Sequence, residues 1–188
     1  AVVGTASLRR QALVRRSRPD LKVVTFRGNV QTRLHKLEAG DVHATLLALA
    51  GLKRLGNAHE ATAIIPLEDF PPAIGQGAIA VETRADDARI IPLVSALDHP
   101  PTATALACER AFLAVLDGSC RTPIAGPAIV DGDRMRFRGL VLSPDGQEEF
   151  EAIRDGTWED ATAIGIEAGE DIIARAGPDF LAALRAAT

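Results

Sequence analysis

The chain has 188 residues, of which 47% are hydrophobic and 24% charged, with a formal net charge of −4. Its length allows one large domain or two small ones, and its apolar content is sufficient for a buried core. No apolar run is long enough to span a bilayer, and we expect no signal peptide. The two cysteines, Cys108 and Cys120, argue against a disulfide framework and fit a reducing, cytoplasmic compartment.

The first half of the chain alternates short apolar strands with amphipathic helices, which predicts a parallel sheet with both faces covered. Glycine and proline residues mark the turns between these elements. The predicted strands are Ala1–Thr5, Lys22–Arg27, His43–Ala50, Ile64–Leu67 and Ala78–Thr83. The predicted helices are Ser7–Arg18, Val30–Ala39, Leu52–Leu55 and Asp87–Leu97.

The pattern changes near residue 98, where a helix is followed by strands of alternating polarity joined by turn residues. We therefore predict a smaller α+β domain with an antiparallel three-stranded sheet covered by helices. Its predicted elements are a helix over Thr102–Leu116, strands over Ile124–Val130, Arg134–Leu142 and Gln147–Ile153, and helices over Glu159 to about Arg175 and Pro178–Ala187.

The charge of the chain is divided unevenly along its length. Residues 1–54 carry eleven Lys and Arg but only three acids, a local charge of +8, whereas the rest of the chain carries −12. The split predicts a positively charged surface for an anionic partner. The alternative is that the arginines lie on solvated helix faces, which we favour for three that fall in the middle or at the end of a helix: Arg15, Arg16 and Arg18.

Five residues of this basic block fall at junctions between a strand and a helix. In an open parallel sheet these junctions meet at the carboxyl edge. Helix starts present unpaired N–H groups there, and guanidinium groups add paired hydrogen bonds to carboxylates or phosphates. We expect the five residues to converge on one ligand with several negative charges. They are Ser7, Arg9, Arg10, Arg27 and Arg33.

Nucleic acid is an alternative anionic partner that the sequence does not favour. The basic block has a single aromatic residue, Phe26, and therefore lacks platforms on which bases stack. It has no helix-turn-helix or zinc-finger spacing, and Gly4 stands alone where a phosphate-binding loop needs several glycines. We expect no nucleic-acid partner and no membrane partner.

Cys120 lies in the loop Asp117–Pro123, where Arg121 would favour the nucleophilic thiolate. The alternative is an inert loop cysteine, which is the common case. Cys108 lies inside an apolar helical run and is predicted to serve packing. Neither cysteine has metal-ligand spacing and the four histidines are scattered, so we expect no metal site.

Five segments of the chain resemble the porphobilinogen deaminase (hydroxymethylbilane synthase) family. They run in order along essentially the whole chain, and together they are far more specific than any one of them. They are VVGTASLRRQ at Val2–Gln11, FRGNVQTRLHKL at Phe26–Leu37, LLALAGLKRLG at Leu46–Gly56, PPAIGQGAIAVETR at Pro71–Arg84 and DGSCRTPIAG at Asp117–Gly126.

The resemblance implies a three-domain transferase whose first two domains have an α/β fold similar to type II periplasmic binding proteins, with the active site between them. It implies that residues 1–76 belong to domain two, 77–97 to a return segment of domain one, and 98–188 to domain three. The strand-like start at residues 1–5 without an initiator Met agrees with a C-terminal fragment that lacks most of domain one. The resemblance further implies a cytoplasmic monomer.

The resemblance also implies a dipyrromethane cofactor attached to Cys120 by a thioether and extended by four porphobilinogen units. Each pyrrole carries an acetate and a propionate, so the growing chain needs a basic cleft. Arg54 is a weaker candidate for that cleft. The residues implied to bind cofactor and substrate are Thr5, Ser7, Arg9, Arg10, Arg27, Arg33, Leu47, Ala48, Gly51 and Gln76.

The chain departs from the family in its acidic residues. Family members use a catalytic aspartate of the first domain, and none of Asp41, Asp69 or Asp117 matches its motif. We therefore assign no catalytic residue in this chain and expect it to be inactive alone. The competing interpretation is a non-enzymatic module of periplasmic-binding-protein type that binds carboxylate or phosphate reversibly.

Overall fold

A computed structural model describes residues 1–118 and 122–186 of the chain. Its first part contains a three-stranded parallel sheet with strand order β2-β1-β3. The strands are β1 (Val2–Gly4), β2 (Lys22–Val24) and β3 (Ala44–Thr45). The helices that follow them are α1 (Leu8–Ser17), α2 (Val30–Glu38) and α3 (Leu49–Arg54). The predicted alternation of strands and helices is confirmed here, although β3 is much shorter than the strand predicted for His43–Ala50.

Local sequence signals set the start of the first two helices. The Ser7 hydroxyl accepts a hydrogen bond from the Arg10 N–H at 3.4 Å, and Asn29 Oδ1 accepts one from the Thr32 N–H at 2.8 Å. Such caps satisfy N–H groups that have no partner inside the helix. Both helices therefore begin directly at the edge where β1 and β2 end.

The second part is built on an antiparallel sheet of β4 (Ile124–Ala125), β5 (Ala128–Asp131), β6 (Arg134–Leu142) and β7 (Glu149–Thr157). Strand β6 is central: it pairs with β7 along its whole length, and with β4 and β5 at its two ends. The prediction of three strands is wrong in this detail. Pro127 has no N–H for a ladder, and the Gly126 N–H bonds to the Pro72 carbonyl at 3.2 Å, so the first predicted strand is split.

Two helices cover this sheet, α5 (Pro100–Val115) and α6 (Ala161–Ala186), after the short α4 (Ile91–Ser95). The break predicted between two C-terminal helices is found at Gly177, which has a φ of 74° and precedes Pro178. The core between the helices and the sheet includes Phe112, Phe137 and Ile172, all without solvent exposure. The other face of β6 packs against α1 through a second small cluster: Ala12, Leu13, Leu140 and Leu142.

The segment between the two sheets is mostly irregular. The strands predicted at Ile64–Leu67 and Ala78–Thr83 are absent, and the helix predicted at Asp87–Leu97 is reduced to α4. Ile79 is 91% exposed, so no described element covers the strand-like run around it. A strand needs a neighbouring strand for its backbone groups, and none lies beside these residues in the described part of the chain. No helix of the described residues is long and apolar enough to cross a membrane.

Candidate functional site

The carboxyl edge of the parallel sheet gathers three loops, one after each strand. Residues 5–7 follow β1, residues 25–29 follow β2 and residues 46–48 follow β3. Helices α1 and α2 begin from the first two loops. Their N-terminal N–H groups carry partial positive charge and suit an anion.

The loop after β1 is fixed by hydrogen bonds that involve its own side chains. Thr5 is 1% exposed, its hydroxyl accepts a bond from the Ser7 N–H at 3.3 Å, and its carbonyl accepts one from Gln11 Nε2 at 3.1 Å. Gly4 leaves room for the ring of Phe26, since a Cβ on Gly4 would lie 2.6 Å from that ring. The first two loops are thus held close together and rigid.

Arg10 and Arg33 lie close enough for their charges to repel. Burial, and then the charge of Arg33, lowers the pKa of Arg10 from its ordinary value. Arg10 Nη1 donates to the Leu46 carbonyl at 2.7 Å, and Arg33 Nε donates to the Gly28 carbonyl at 2.7 Å. Each guanidinium has five N–H donors, so these bonds orient it and leave donors for a ligand. Neither forms an ion pair with an acid in residues 1–118 or 122–186.

Arg9 is the most buried of the predicted cationic residues, with 6% exposure. Its Nη1 donates to the Pro71 carbonyl, and its Nε has no hydrogen-bond partner among the described residues. Burial, followed by the charge of Arg10, lowers the pKa of Arg9 to about 10. The side chain is still a cation at neutral pH, and it adds positive charge near Arg10.

Arg27 is exposed at the end of the loop after β2 and forms no ion pair with a described side chain. Lys36 was not predicted from the sequence, yet its Nζ lies 3.4 Å from the Arg27 carbonyl and 5.7 Å from the centre of the Phe26 ring. The contact involves only the backbone of Arg27, and its exposed guanidinium stays accessible. Arg54 is exposed in the last turn of α3.

The loop after β3 brings the predicted apolar residues to the same edge. Leu47 is half-buried and Ala48 exposed just before α3, and the Thr45 hydroxyl bonds to the Gly4 carbonyl at 2.9 Å. Gly51 faces α2, where an added Cβ would lie 3.8 Å from Val30. These positions add apolar surface to the edge without supplying charge.

Gln76 is not part of this group of contacts. It is exposed and lines a different cavity of about 460 Å³, together with His99, Thr102, Glu109 and residues of β5. Cys120 lies outside the described residues, so its predicted attachment role stays a prediction. Among the described residues no group of three or more potential metal ligands is found.

Glu109 is a functional candidate that the sequence analysis missed. It is the one acidic residue of α5 and is 9% exposed, and its two carboxylate oxygens accept bonds from the Gly75 N–H at 2.6 Å and the Ala128 N–H at 2.9 Å. Burial raises the pKa of Glu109, and the two N–H groups oppose that effect. A lone acid on the apolar face of α5 was the signal available in the sequence.

Comparison with known proteins places both parts of the chain in one family. Residues 1–92 match the family model "Porphobilinogen deaminase, dipyromethane cofactor binding domain", and residues 103–174 match "Porphobilinogen deaminase, C-terminal domain". The chain therefore belongs to the porphobilinogen deaminase family, and its first half is the part that binds the dipyrromethane cofactor in that family.

Two curated relatives are named porphobilinogen deaminase, from Nitrobacter hamburgensis and Nitrobacter winogradskyi. Each is 57% identical to this chain over 180 residues, which is 96% of the chain. The match covers 57% of the length of each relative, so the chain spans little more than half of these proteins. The sequence-based resemblance is confirmed.

The residues at the sheet edge fit the cofactor of this family. A dipyrromethane made from two acetate- and propionate-bearing pyrroles carries four carboxylates. Arg10 and Arg33 repel each other and have donors to spare. Carboxylates placed between these two guanidinium groups would offset their repulsion and accept their remaining hydrogen bonds.

Proposed function

We propose that this chain is part of a hydroxymethylbilane synthase, a transferase that joins four porphobilinogen units, with release of ammonia, into a linear tetrapyrrole for haem biosynthesis. The observation that carries the proposal is the oriented pair of Arg10 and Arg33, which has no acidic partner among the described residues at the edge where α1 and α2 begin. Such an arrangement suits a ligand with several carboxylates rather than a single small anion.

The cofactor, when attached, supplies the pyrrole carbon to which each new unit is joined. The contribution of this chain is electrostatic: Arg10, Arg27 and Arg33 hold the ring carboxylates, and the helix starts of α1 and α2 add N–H donors. Ser7 and Thr5 keep the first loop rigid, so these donors are in place before the ligand arrives. Leu47, Ala48 and Gly51 shape the apolar side against the rings.

Cys120 is the proposed point of attachment. In forming the thioether, the sulfur bonds to the methylene carbon of a porphobilinogen unit, the bond from that carbon to nitrogen breaks, and the nitrogen leaves as ammonia. Each later unit loses ammonia in the same way as a carbon–carbon bond forms. The neighbouring Arg121 favours the thiolate that the first step needs.

We further propose that residues 1–76 form part of a domain similar to type II periplasmic binding proteins, that 77–97 return to domain one, and that 98–188 form domain three. The exposed apolar side chains of the middle segment support this division, because they offer a surface for the part of the family's proteins that this chain does not span. A catalytic carboxylate is expected from that part, so we expect the chain to be inactive alone. We also propose that the whole protein is a cytoplasmic monomer.

A chimera tests the function directly. The matching 180 residues of the Nitrobacter hamburgensis relative are replaced by those of this chain, and the product is incubated with porphobilinogen. We expect hydroxymethylbilane to form and the intact mass to exceed the polypeptide mass by two porphobilinogen units less two ammonia. Cys120→Ser should abolish both. An active chimera without an adduct would refute the attachment site, and an inactive one that binds carboxylates reversibly would favour the non-enzymatic module.

The arginine pair is tested in the same chimera. Arg33→Ala should lower kcat/KM by about tenfold to a hundredfold, since hydrogen bonds to charged groups contribute about 1.5–3 kcal/mol. Lys22→Ala is the matched control, because it removes one exposed charge at the start of β2, the opposite edge of the sheet. Equal effects of the two changes would refute the proposed cleft.

A further inference from the structure

A short stretch of backbone, residues 71–75, contacts both parts of the described chain. From the first part, Arg9 of α1 donates to the Pro71 carbonyl. From the second part, the Gly126 N–H donates to the Pro72 carbonyl at 3.2 Å, and the Gly75 N–H donates to Glu109 of α5 at 2.6 Å. The turn that carries Gln76 therefore begins from a stretch held on two sides.

Glu109 is the charged group at the second of these contacts. Its Oε2 accepts the Gly75 N–H, and its Oε1 accepts the N–H of Ala128, the first residue of β5. A carboxylate has two acceptor oxygens and no donor, so it matches two converging N–H groups, which an amide cannot do without placing donor against donor. Burying an acid is costly, and here both oxygens have partners from different segments.

The chain order gives this contact a particular consequence. Helix α5 ends at Val115 and β5 begins at Ala128, and Cys120 lies between these two elements in the sequence. One oxygen of Glu109 joins α5 to the start of β5, the two described elements between which the proposed cofactor thiol lies in the sequence. The other oxygen holds the Gly75 turn, whose next residue is Gln76. A single side chain thus connects the start of β5 with the Gly75 turn.

We propose that Glu109 is a positioning residue that fixes the start of β5 and the Gly75-Gln76-Gly77 turn relative to each other through its two carboxylate oxygens. The proposal rests on the proposed function for its link to the reaction. Its structural content, the coupling of Gly75 to Ala128 through one side chain, stands independently of that function.

The coupling is tested in the 188-residue chain by amide hydrogen exchange. In Glu109→Gln, the N–H groups of Gly75 and Ala128 should both exchange about tenfold faster or more. The amide has only one acceptor oxygen, so one of the two hydrogen bonds is lost, and both segments then open more readily because nothing couples them. Glu170→Gln, at an exposed position of α6, should leave both rates unchanged. Unchanged exchange at either N–H in Glu109→Gln would overturn the coupling.

The link to the reaction is tested by kinetics in the chimera. We expect Glu109→Gln to lower kcat per adduct-bearing molecule about tenfold with KM within about twofold, because the change misplaces the reacting groups without removing a carboxylate ligand. Glu109→Asp, which keeps both acceptors on a shorter arm, should recover part of the loss. If Glu109 serves stability alone, Glu109→Gln should lower the melting temperature and leave kcat per adduct-bearing molecule unchanged, and that result would overturn the proposal. The activity of the chimera with Glu109 intact would still support the proposed transferase function.

Discussion

Residues 100–184 and residues 61–97 contain similar apolar side chains but bury them to very different extents. In the first region Phe112, Phe137 and Ile172 have no exposure, because α5, α6 and the second sheet each supply a partner surface for the others. In the second region Ile79 is 91% exposed and Leu97 72%. The difference shows that apolar content does not by itself produce packing; a complementary surface must also be present.

Truncation of one large side chain in each region gives the sharpest test of this comparison. Phe137→Ala should lower the free energy of unfolding by about 3–5 kcal/mol, because Phe137 is fully buried and its ring contacts Phe112 edge to face at 5.0 Å. Ile79→Ala should change it by less than about 0.5 kcal/mol. Urea titration of both variants measures the two values. A similar loss in both would contradict the packing described for residues 61–97.

A glycine at a helix contact tests how tightly the packed region is built. A Cβ on Gly165 of α6 would lie 2.1 Å from the Cys108 carbonyl oxygen of α5, so Gly165→Ala should force the helices apart and cost about 1–3 kcal/mol. Gly169→Ala, whose Cβ would lie 2.8 Å from Cβ and Cγ1 of Val115, should cost less because this overlap is smaller than the one at Gly165. Thermal unfolding ranks the two, and a more stable Gly165→Ala chain would show that α5 and α6 do not approach so closely.

The same comparison explains which elements could be predicted from the sequence. The helix at α5, the strand β6 and the break at Gly177 are predicted, because their local patterns agree with partners inside the chain. Strand β7 is predicted in position but ends at Thr157, four residues beyond the predicted Ile153. The strands predicted at Ile64–Leu67 and Ala78–Thr83 have suitable residues but no neighbouring strand. A local sequence pattern indicates that a segment can form a strand, but it does not show whether a neighbouring strand is present to pair with it.

The candidate site was predictable to the extent that it follows from chain order. Arg10 and Arg33 come soon after the ends of adjacent parallel strands, so their proximity follows from the alternation of strands and helices. The role of Glu109 does not, because its partners are backbone N–H groups 34 and 19 residues away, and any residue other than proline offers such a group. A backbone N–H that donates to such a side chain therefore leaves no recognisable pattern in the sequence around it.

Thiol labelling tests the packed region without a change in sequence. Cys108 has no exposure, and burial, followed by the charge of Glu109, raises its pKa to about 12. At pH 8 only about one such thiol in ten thousand is ionised, so we expect a maleimide to leave Cys108 unmodified in the folded chain and to modify it in urea. Peptide mapping by mass spectrometry locates the label. Rapid modification of Cys108 without urea would mean that the core around α5 opens readily.

The smallest expected effect concerns an ion-pair cluster on the surface of the packed region. Arg175 and Arg154 both bond to Asp171 at 3.0 Å, and these bonds lower the pKa of Asp171 below 3.8. Because the pKa of Asp171 is lower in the folded chain than in the unfolded chain, its carboxylate stabilises the fold at any pH above the unfolded-state pKa. This contribution is lost as the pH falls through the folded-state pKa.

Wild type should therefore melt slightly above Asp171→Asn at pH 7, and the difference should shrink towards zero as the pH falls below 3.8. Salt at about 1 M should reduce the difference at neutral pH, because the cluster is exposed to solvent. Glu170→Gln, one residue away and in no described ion pair, controls for the loss of a charge from α6. A difference that grows on acidification would mean that Asp171 is held by something other than the two arginines.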